Sequence, residues 1–130
     1  MMLKRVFFLV FGILVLFTTD VSARNYQLPG DDLPNCTKSG NNYTCSGNLS
    51  FDEDDKLVIS GGVQVVVNVT GNVSLDEDVE INKGGNPLNL IFDVTGNFKA
   101  DESVIFNGSI DSDGHITFEE SSEITGNLTA

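Results

Sequence analysis

The pair Gly-Asn recurs through the chain at Gly47-Asn48, Gly71-Asn72, Gly96-Asn97 and Gly126-Asn127, at spacings of 24, 25 and 30 residues. The residues after each pair also agree. Asn48-Leu49-Ser50-Phe51-Asp52-Glu53-Asp54 aligns with Asn72-Val73-Ser74-Leu75-Asp76-Glu77-Asp78. Asn97-Phe98-Lys99-Ala100-Asp101-Glu102-Ser103 aligns with both, and Asn127-Leu128-Thr129-Ala130 begins a fourth copy. A fixed period of this size marks a stack of like units, each of which buries its apolar face only against its neighbours.

Within each repeat the period is two. Residues 63, 65, 67 and 69 are all Val, and residues 88, 90, 92 and 94 are Leu, Leu, Phe and Val. Alternation makes a strand with one buried face, whereas a helix needs apolar residues at i, i+3 and i+4. The expected fold is therefore all-β. It is a single-stranded parallel β-helix (β-solenoid) of about three to four coils of roughly 25 residues, shortening toward the C-terminus. A small β-sandwich would also alternate, but it gives no reason for repetition in register.

The register predicts core columns. Leu49, Val73, Phe98 and Leu128 form one, and Phe51, Leu75, Ala100 and Ala130 the next. With Asp55-Lys56 taken as an insertion, Leu57 aligns with Val79 and Val104, and Ile59 with Ile81 and Phe106. The long strand pairs Val63 with Leu88, Val65 with Leu90, Val67 with Phe92, and Val69 with Val94 and Ile124. Extended backward, the pattern puts Tyr43 at the Val67 position and Cys45 at the Val69 position. A Cys36–Cys45 bridge then belongs to a cap over the N-terminal end of the core, which stacked repeats require. No matching cap is expected at the C-terminal side, where the coils shorten to near 18 residues.

Residues 1–23 read as a signal peptide. Lys4 and Arg5 precede the apolar run Val6–Phe17, and Val21-Ser22-Ala23 places small residues before Arg24. Twelve apolar residues reach only about 18 Å as a helix, against a bilayer core of about 30 Å, so no stable membrane span is expected after cleavage. Residues 24–46 form the N-terminal segment and its cap, and residues 47–130 the repeats. In an exported, oxidising setting, the chain's two cysteines are expected to form a disulfide that contributes at most about 2–3 kcal/mol for so small a loop. Periplasm, cell surface or the medium is the expected location.

The whole chain has 7 Lys and Arg against 19 Asp and Glu, a net −12. Without Lys4, Arg5 and Asp20 the balance is 5 against 18, a net −13. Such a chain lacks the basic face that nucleic-acid binding needs. The acids cluster in turns: Asp52-Glu53-Asp54-Asp55, Asp76-Glu77-Asp78, Asp101-Glu102 and Glu119-Glu120. Among them Asp52, Asp54, Asp76, Asp78 and Asp101 are candidate Ca²⁺ ligands, since Ca²⁺ takes carboxylate oxygens. The plainer account is a solvated corner that keeps the stack soluble. No known Ca²⁺-loop pattern is present, and no cofactor is expected.

Nothing marks a catalytic centre. The single histidine, His115, falls at a turn before a strand and faces outward, and no G-x-S-x-G elbow occurs. Asn35, Asn42, Asn48, Asn68, Asn72, Asn107 and Asn127 each stand in N-x-Ser/Thr, which in a eukaryotic secretory protein is an acceptor for glycosylation; the repeat gives a plainer account. Asn48, Asn72, Asn97 and Asn127 share one register position, which predicts a ladder of stacked Asn side chains. The glycines before them are expected at corners with unusual backbone angles.

Val94-Thr95-Gly96-Asn97-Phe98-Lys99-Ala100 and Ile124-Thr125-Gly126-Asn127-Leu128-Thr129-Ala130 resemble the coils of bactofilin-type polymer-forming proteins, which commonly read V-x-G-N-[ILV]-x-A. Asn42–Ser50 is similar to the repeat region of exported bacterial proteins related to mannose-sensitive haemagglutinin pilus biogenesis. Together the resemblance spans about residues 36–130. It implies a right-handed β-helix that polymerises end to end, and it carries over no catalytic residue. Bactofilins typically are cytoplasmic, have shorter coils and lack a cleavable signal, and this chain departs from them on all three counts.

The expected function is that of an exported bacterial, non-enzymatic structural or surface-assembly protein. It self-associates through an open C-terminal coil or meets an envelope or pilus protein there. The alternative is an envelope module that binds Ca²⁺ or polysaccharide.

Overall fold

The computed structural model describes residues 22–130. The proposed signal peptide, but for Ser22 and Ala23, lies outside the described residues. The described residues form fifteen strands: β1 Asn25–Leu28, β2 Cys36–Ser39, β3 Asn42–Cys45, β4 Leu49–Phe51, β5 Lys56–Ile59, β6 Val65–Val69, β7 Val73–Leu75, β8 Glu80–Ile81, β9 Leu90–Val94, β10 Phe98–Ala100, β11 Ile105–Asn107, β12 Ser109–Ser112, β13 Ile116–Phe118, β14 Glu123–Thr125 and β15 Leu128–Thr129. One short 3-10 turn, Pro87–Asn89, precedes β9.

The strands fall into three sheets. A five-stranded sheet runs β1-β5-β8-β11-β14, a four-stranded sheet β13-β10-β7-β4, and a six-stranded sheet β15-β12-β9-β6-β3-β2. From β4 onward the chain visits the four-, five- and six-stranded sheets in rotation. Each of these strands pairs parallel with its equivalents in the neighbouring repeats, β4 only with the one after it and β13, β14 and β15 only with the one before. Only β2 is antiparallel, folded back on β3. This all-β, parallel arrangement is compatible with the expected β-solenoid.

Parallel register stacks like on like. Leu49, Val73, Phe98 and Ile116 form one inward column, and Phe51, Leu75, Ala100 and Phe118 the next. Tyr43, Val67, Phe92, Ile110 and Leu128 form a third. Tyr43 stands at the Val67 position and Cys45 at the Val69 position, both fully buried. Alternation follows the pleat: β4, β7 and β10 each read buried, exposed, buried.

The third repeat is the shortest because one corner is missing. Between Ile81 and Phe92 the chain makes the corner containing Pro87–Asn89, whereas Phe106 and Ile110, in the same two columns, are only four residues apart. Gly108 takes the Leu90 position, and a Cβ there would stand 3.0 Å from the Leu90 carbonyl oxygen. Larger residues offset the loss. Val73 gives way to Phe98 and Ile81 to Phe106, while Leu75 gives way to Ala100. Phe92, Phe98 and Phe106 come together from the three sheets with ring centroids 5.4–5.8 Å apart in edge-to-face contact, a geometry that suits aromatic quadrupoles.

The structure corrects the register in several places. There is no insertion at Asp55-Lys56. Leu57 stacks on Ile81 and Phe106, and Asp55 takes the inward position that Val79 and Val104 hold below it. Ile59 only packs beside the core. Leu88 is not a core residue. It lies in the 3-10 turn, where Asn86 Oδ1 accepts from its amide, and is 67% exposed. Ile124 stacks on Phe106 rather than on Val94, whose column continues to Ser112. Leu128 stacks on Ile110.

Asp55 explains how the first repeat closes. It is 3% exposed. Its Oδ1 accepts from the Arg24 amide at 2.7 Å and its Oδ2 from the Asp52 amide at 2.8 Å. The carboxylate thus satisfies backbone donors at the start of the stack, much as a helix cap does. Asp55→Ala is expected to lower unfolding free energy by about 2 kcal/mol, because it strands two backbone donors. Asp55→Asn, which keeps one acceptor, should cost less. Urea unfolding of both variants checks the order, and equal losses would show that the cap does not act through these bonds.

Candidate functional site

Three features are candidates: the Asn ladder, the acidic corner and the C-terminal repeat. The ladder runs along the corner before the four-stranded sheet. Asn48 Oδ1 accepts from the Asn72 amide, Asn72 Oδ1 from the Asn97 amide, and Asn97 Oδ1 from the His115 amide, each at 2.8 Å. The bonds therefore run from backbone to side chain. Asn127 does not belong to this ladder. It precedes β15, its carbonyl accepts from the Ile110 amide, and His115 occupies the fourth ladder position, exposed to solvent. The Gly-Asn pair at 126–127 sits at a different corner, beside Gly108.

The glycines there serve two separate needs. Gly47 and Gly126 do have positive φ, at 91° and 131°. Gly71 and Gly96 do not; a Cβ on Gly96 would stand 2.2 Å from Asn72 Oδ1 and 2.7 Å from the Gly71 carbonyl oxygen. They are small so that the ladder can pass. Gly96→Ala is expected to cost about 1–3 kcal/mol by overpacking, and Asn72→Ala about 1 kcal/mol for one lost hydrogen bond. Thermal unfolding of the pair checks this, and a silent Gly96→Ala would contradict the close approach.

A second Asn pair was not anticipated. Asn82 and Asn107 exchange bonds, each side-chain amide donating to the other's backbone carbonyl at 3.1 and 3.0 Å. Asn82 is buried. The 25-residue separation, directly after the aligned Ile81 and Phe106, was a usable signal.

The acidic corner is ordered by the same stacking. The Asp54 amide donates to the Glu77 carbonyl, Asp78 to Glu102, and Ser103 to Glu120. Glu53, Glu77, Glu102 and Glu120 thus form one column. Asp54, Asp78, Ser103 and Ser121 form the next, with φ between 62° and 67°. Asp52, Asp76 and Asp101 continue the four-stranded sheet. They border a shallow cavity of about 280 Å³ with Ser50, Ser74 and Lys99. Lys99 reaches Asp101 at 3.9 Å and Glu119 at 3.7 Å.

The Ca²⁺ candidates fall in two columns, Asp52, Asp76 and Asp101 in one and Asp54 and Asp78 in another, each column taking one residue per repeat. Among the described residues, no group of three or more His, Cys, Asp or Glu converges as a metal site would.

Stacking like charge on like charge has a cost. Glu53, some loss of solvent, and then Glu102, Asp76 and Asp78 hold the Glu77 carboxyl above its ordinary range. A raised carboxyl pKa in the folded state means repulsion that is present at neutral pH and lost as pH falls through that raised value toward 4.5. The melting temperature is therefore expected to rise on mild acidification, and at pH 7 on adding salt. Glu77→Gln should raise the melting temperature at pH 7 and flatten both trends. A melting temperature that falls steadily from pH 7 to 5 would refute this reading.

At the C-terminal repeat, β13, β14 and β15 are the outermost strands of their three sheets. Ile116 and Phe118 are half-buried, Ile124 is 37% exposed and Leu128 43% exposed. At the opposite end, Tyr26, Leu28, Leu33, Tyr43 and Cys45 are buried, and Cys36–Cys45 is a disulfide. The Tyr43 hydroxyl donates to the Asp31 carbonyl; burial, then Asp32 and Asp31, raises its pKa. No described helix is long and apolar enough to cross a membrane. The chain matches no protein-family model, no curated protein and no solved structure.

Proposed function

We propose that this chain is an exported, non-enzymatic β-solenoid of bactofilin-like character. It serves as a structural or surface-assembly module and associates through its C-terminal repeat. The observation that carries this reading is the contrast between the two ends. Columns that are fully buried through three repeats run out at Ile124 and Leu128, which stand exposed beside three strand edges at the same end. Exposed strand edges with an apolar face are pairing surfaces. The occupant is a second copy of the chain or an envelope or pilus protein. The disulfide supports an exported setting.

Sedimentation of the mature protein over a range of concentrations tests this. Reversible association is expected. Ile124→Thr together with Leu128→Thr should weaken it at least about tenfold, since each removes apolar area from the contact. A strict monomer at the highest concentration, with no envelope protein captured, would overturn the proposal.

A further inference from the structure

Asp55 is a buried carboxylate without a cation. It is 3% exposed, and its oxygens accept from the Arg24 amide at 2.7 Å and the Asp52 amide at 2.8 Å. Among the described residues, no ammonium or guanidinium group forms an ion pair with it. Lys56 and Lys83 reach Glu80, and Lys99 reaches Asp101 and Glu119. The Arg24 guanidinium is exposed, and its pKa is raised by Tyr26 first and only then by Asp55 and Asp52. A buried charge is ordinarily paired, because its lost hydration has to be offset.

The group that does touch the carboxylate is the Arg24 nitrogen, and both partners are fixed by main-chain bonds. The Arg24 carbonyl accepts from the Lys56 amide at 2.9 Å, and β1 begins at the next residue, Asn25, beside Lys56. The Asp55 amide donates to the Asp52 carbonyl at 3.0 Å, and the Asp55 carbonyl accepts from the Glu80 amide at 3.0 Å. The two residues just before Arg24, Ser22 and Ala23, are exposed and end the small-residue pattern Val21-Ser22-Ala23.

We propose that Ala23–Arg24 is the processing bond of this chain, and that its cleavage supplies the missing cation: the new α-ammonium of Arg24 pairs with Asp55 and locks the N-terminal end of the stack. An endopeptidase of the signal-processing class hydrolyses the bond. The C–N bond breaks, the hydroxyl of water goes to the Ala23 carbonyl carbon, and its hydrogen goes to the Arg24 nitrogen. The amine then takes up a proton from solvent, as an α-amino group does below its ordinary pKa of about 7.7–8.0. A neutral N–H···O contact becomes a charge-assisted one with neither partner displaced. A cut one residue earlier moves the charge by about 3.3–3.6 Å, and a cut one residue later removes the nitrogen, so the geometry selects one bond. The inference rests on the reading of residues 1–23 as a cleavable signal, and not on association through the C-terminal repeat.

Thermal unfolding of three forms of the processed chain tests it. One begins at Arg24 with a free amine. The second is Nα-acetylated at Arg24, which keeps the N–H and removes the charge. The third begins at Ala23, which keeps the net charge and displaces it. The first is expected to melt at least about 4 °C above the other two, and the gap should survive added salt, since a buried pair is screened little. In Asp55→Asn the three forms should melt together. Equal melting of the Arg24 and Ala23 forms would overturn the proposal, and so would an acetylated form that melts with the free amine, a comparison that needs no folded Asp55 variant. A gap that persists in Asp55→Asn would overturn it as well. N-terminal sequencing of the chain expressed whole in an exporting host separates the two readings. Retention of residues 1–23 defeats the signal reading and this inference with it. A mature protein that starts at Arg24 without the gain in melting temperature defeats this inference alone, and a start at any other residue overturns the assignment of the bond.

Discussion

Each strand from β5 to β12 draws its main-chain hydrogen bonds from the strands one level before and one level after it in its sheet. Parallel pairing in register fixes the rest, because a side chain then stands above its own equivalent. Inside, that rule puts Val65 on Leu90 and Val67 on Phe92, and the contact is apolar at every level. Outside, the same rule puts Glu53 beside Glu77 and Glu77 beside Glu102, and the contact is repulsive. One geometric constraint thus supplies both the core and the charge strain. The strain is tolerable because the corner is exposed and screened.

The constraint also makes the ends special, since an end repeat has a partner on one side only. At the N-terminal end several devices replace the missing neighbour. Asp55 stands in the inward column that continues through Val79 and Val104, and its carboxylate accepts the backbone amides of Arg24 and Asp52. β1 covers β5, the hairpin covers β6, and the segment around Leu33 closes over the top. At the other end the columns turn partly polar, with Ser112 below Val94 and Ser122 below Val104, and both serines bond backbone of the repeat above. Ile116, Phe118, Ile124 and Leu128 keep their apolar character there.

What could be read from the chain followed from this economy. Alternation located the strands, and the backward extension of the Val67–Val69 pattern found Tyr43 and Cys45. Both signals work because inward positions must be filled by apolar groups at every level. The misreadings came where a residue type serves more than one purpose. Glycine marks a corner whether the need is positive φ, as at Gly47, or close approach, as at Gly96, so Gly126-Asn127 looked like the fourth ladder position when Gly114-His115 held it. Asp55 looked like one more solvated acid because a buried cap and an exposed turn use the same side chain. The missing corner between Phe106 and Ile110 then shifted the downstream columns, leaving Ile124 and Leu128 assigned to the wrong neighbours.

The acidic corner and the end surfaces are linked by the same geometry. A partner that continued the stack beyond β13 and β14 would extend the apolar columns through Ile116, Phe118, Ile124 and Leu128. It would also extend the charged column beyond Glu120. The attractive part is short-ranged and is not weakened by ionic screening, while the repulsive part is screened over about 8–10 Å at physiological ionic strength. Conditions that relax Glu77 within one molecule would therefore also relax such a contact between molecules. In such an assembly the acidic column would oppose the apolar contact and restrain how far a stack of molecules could grow.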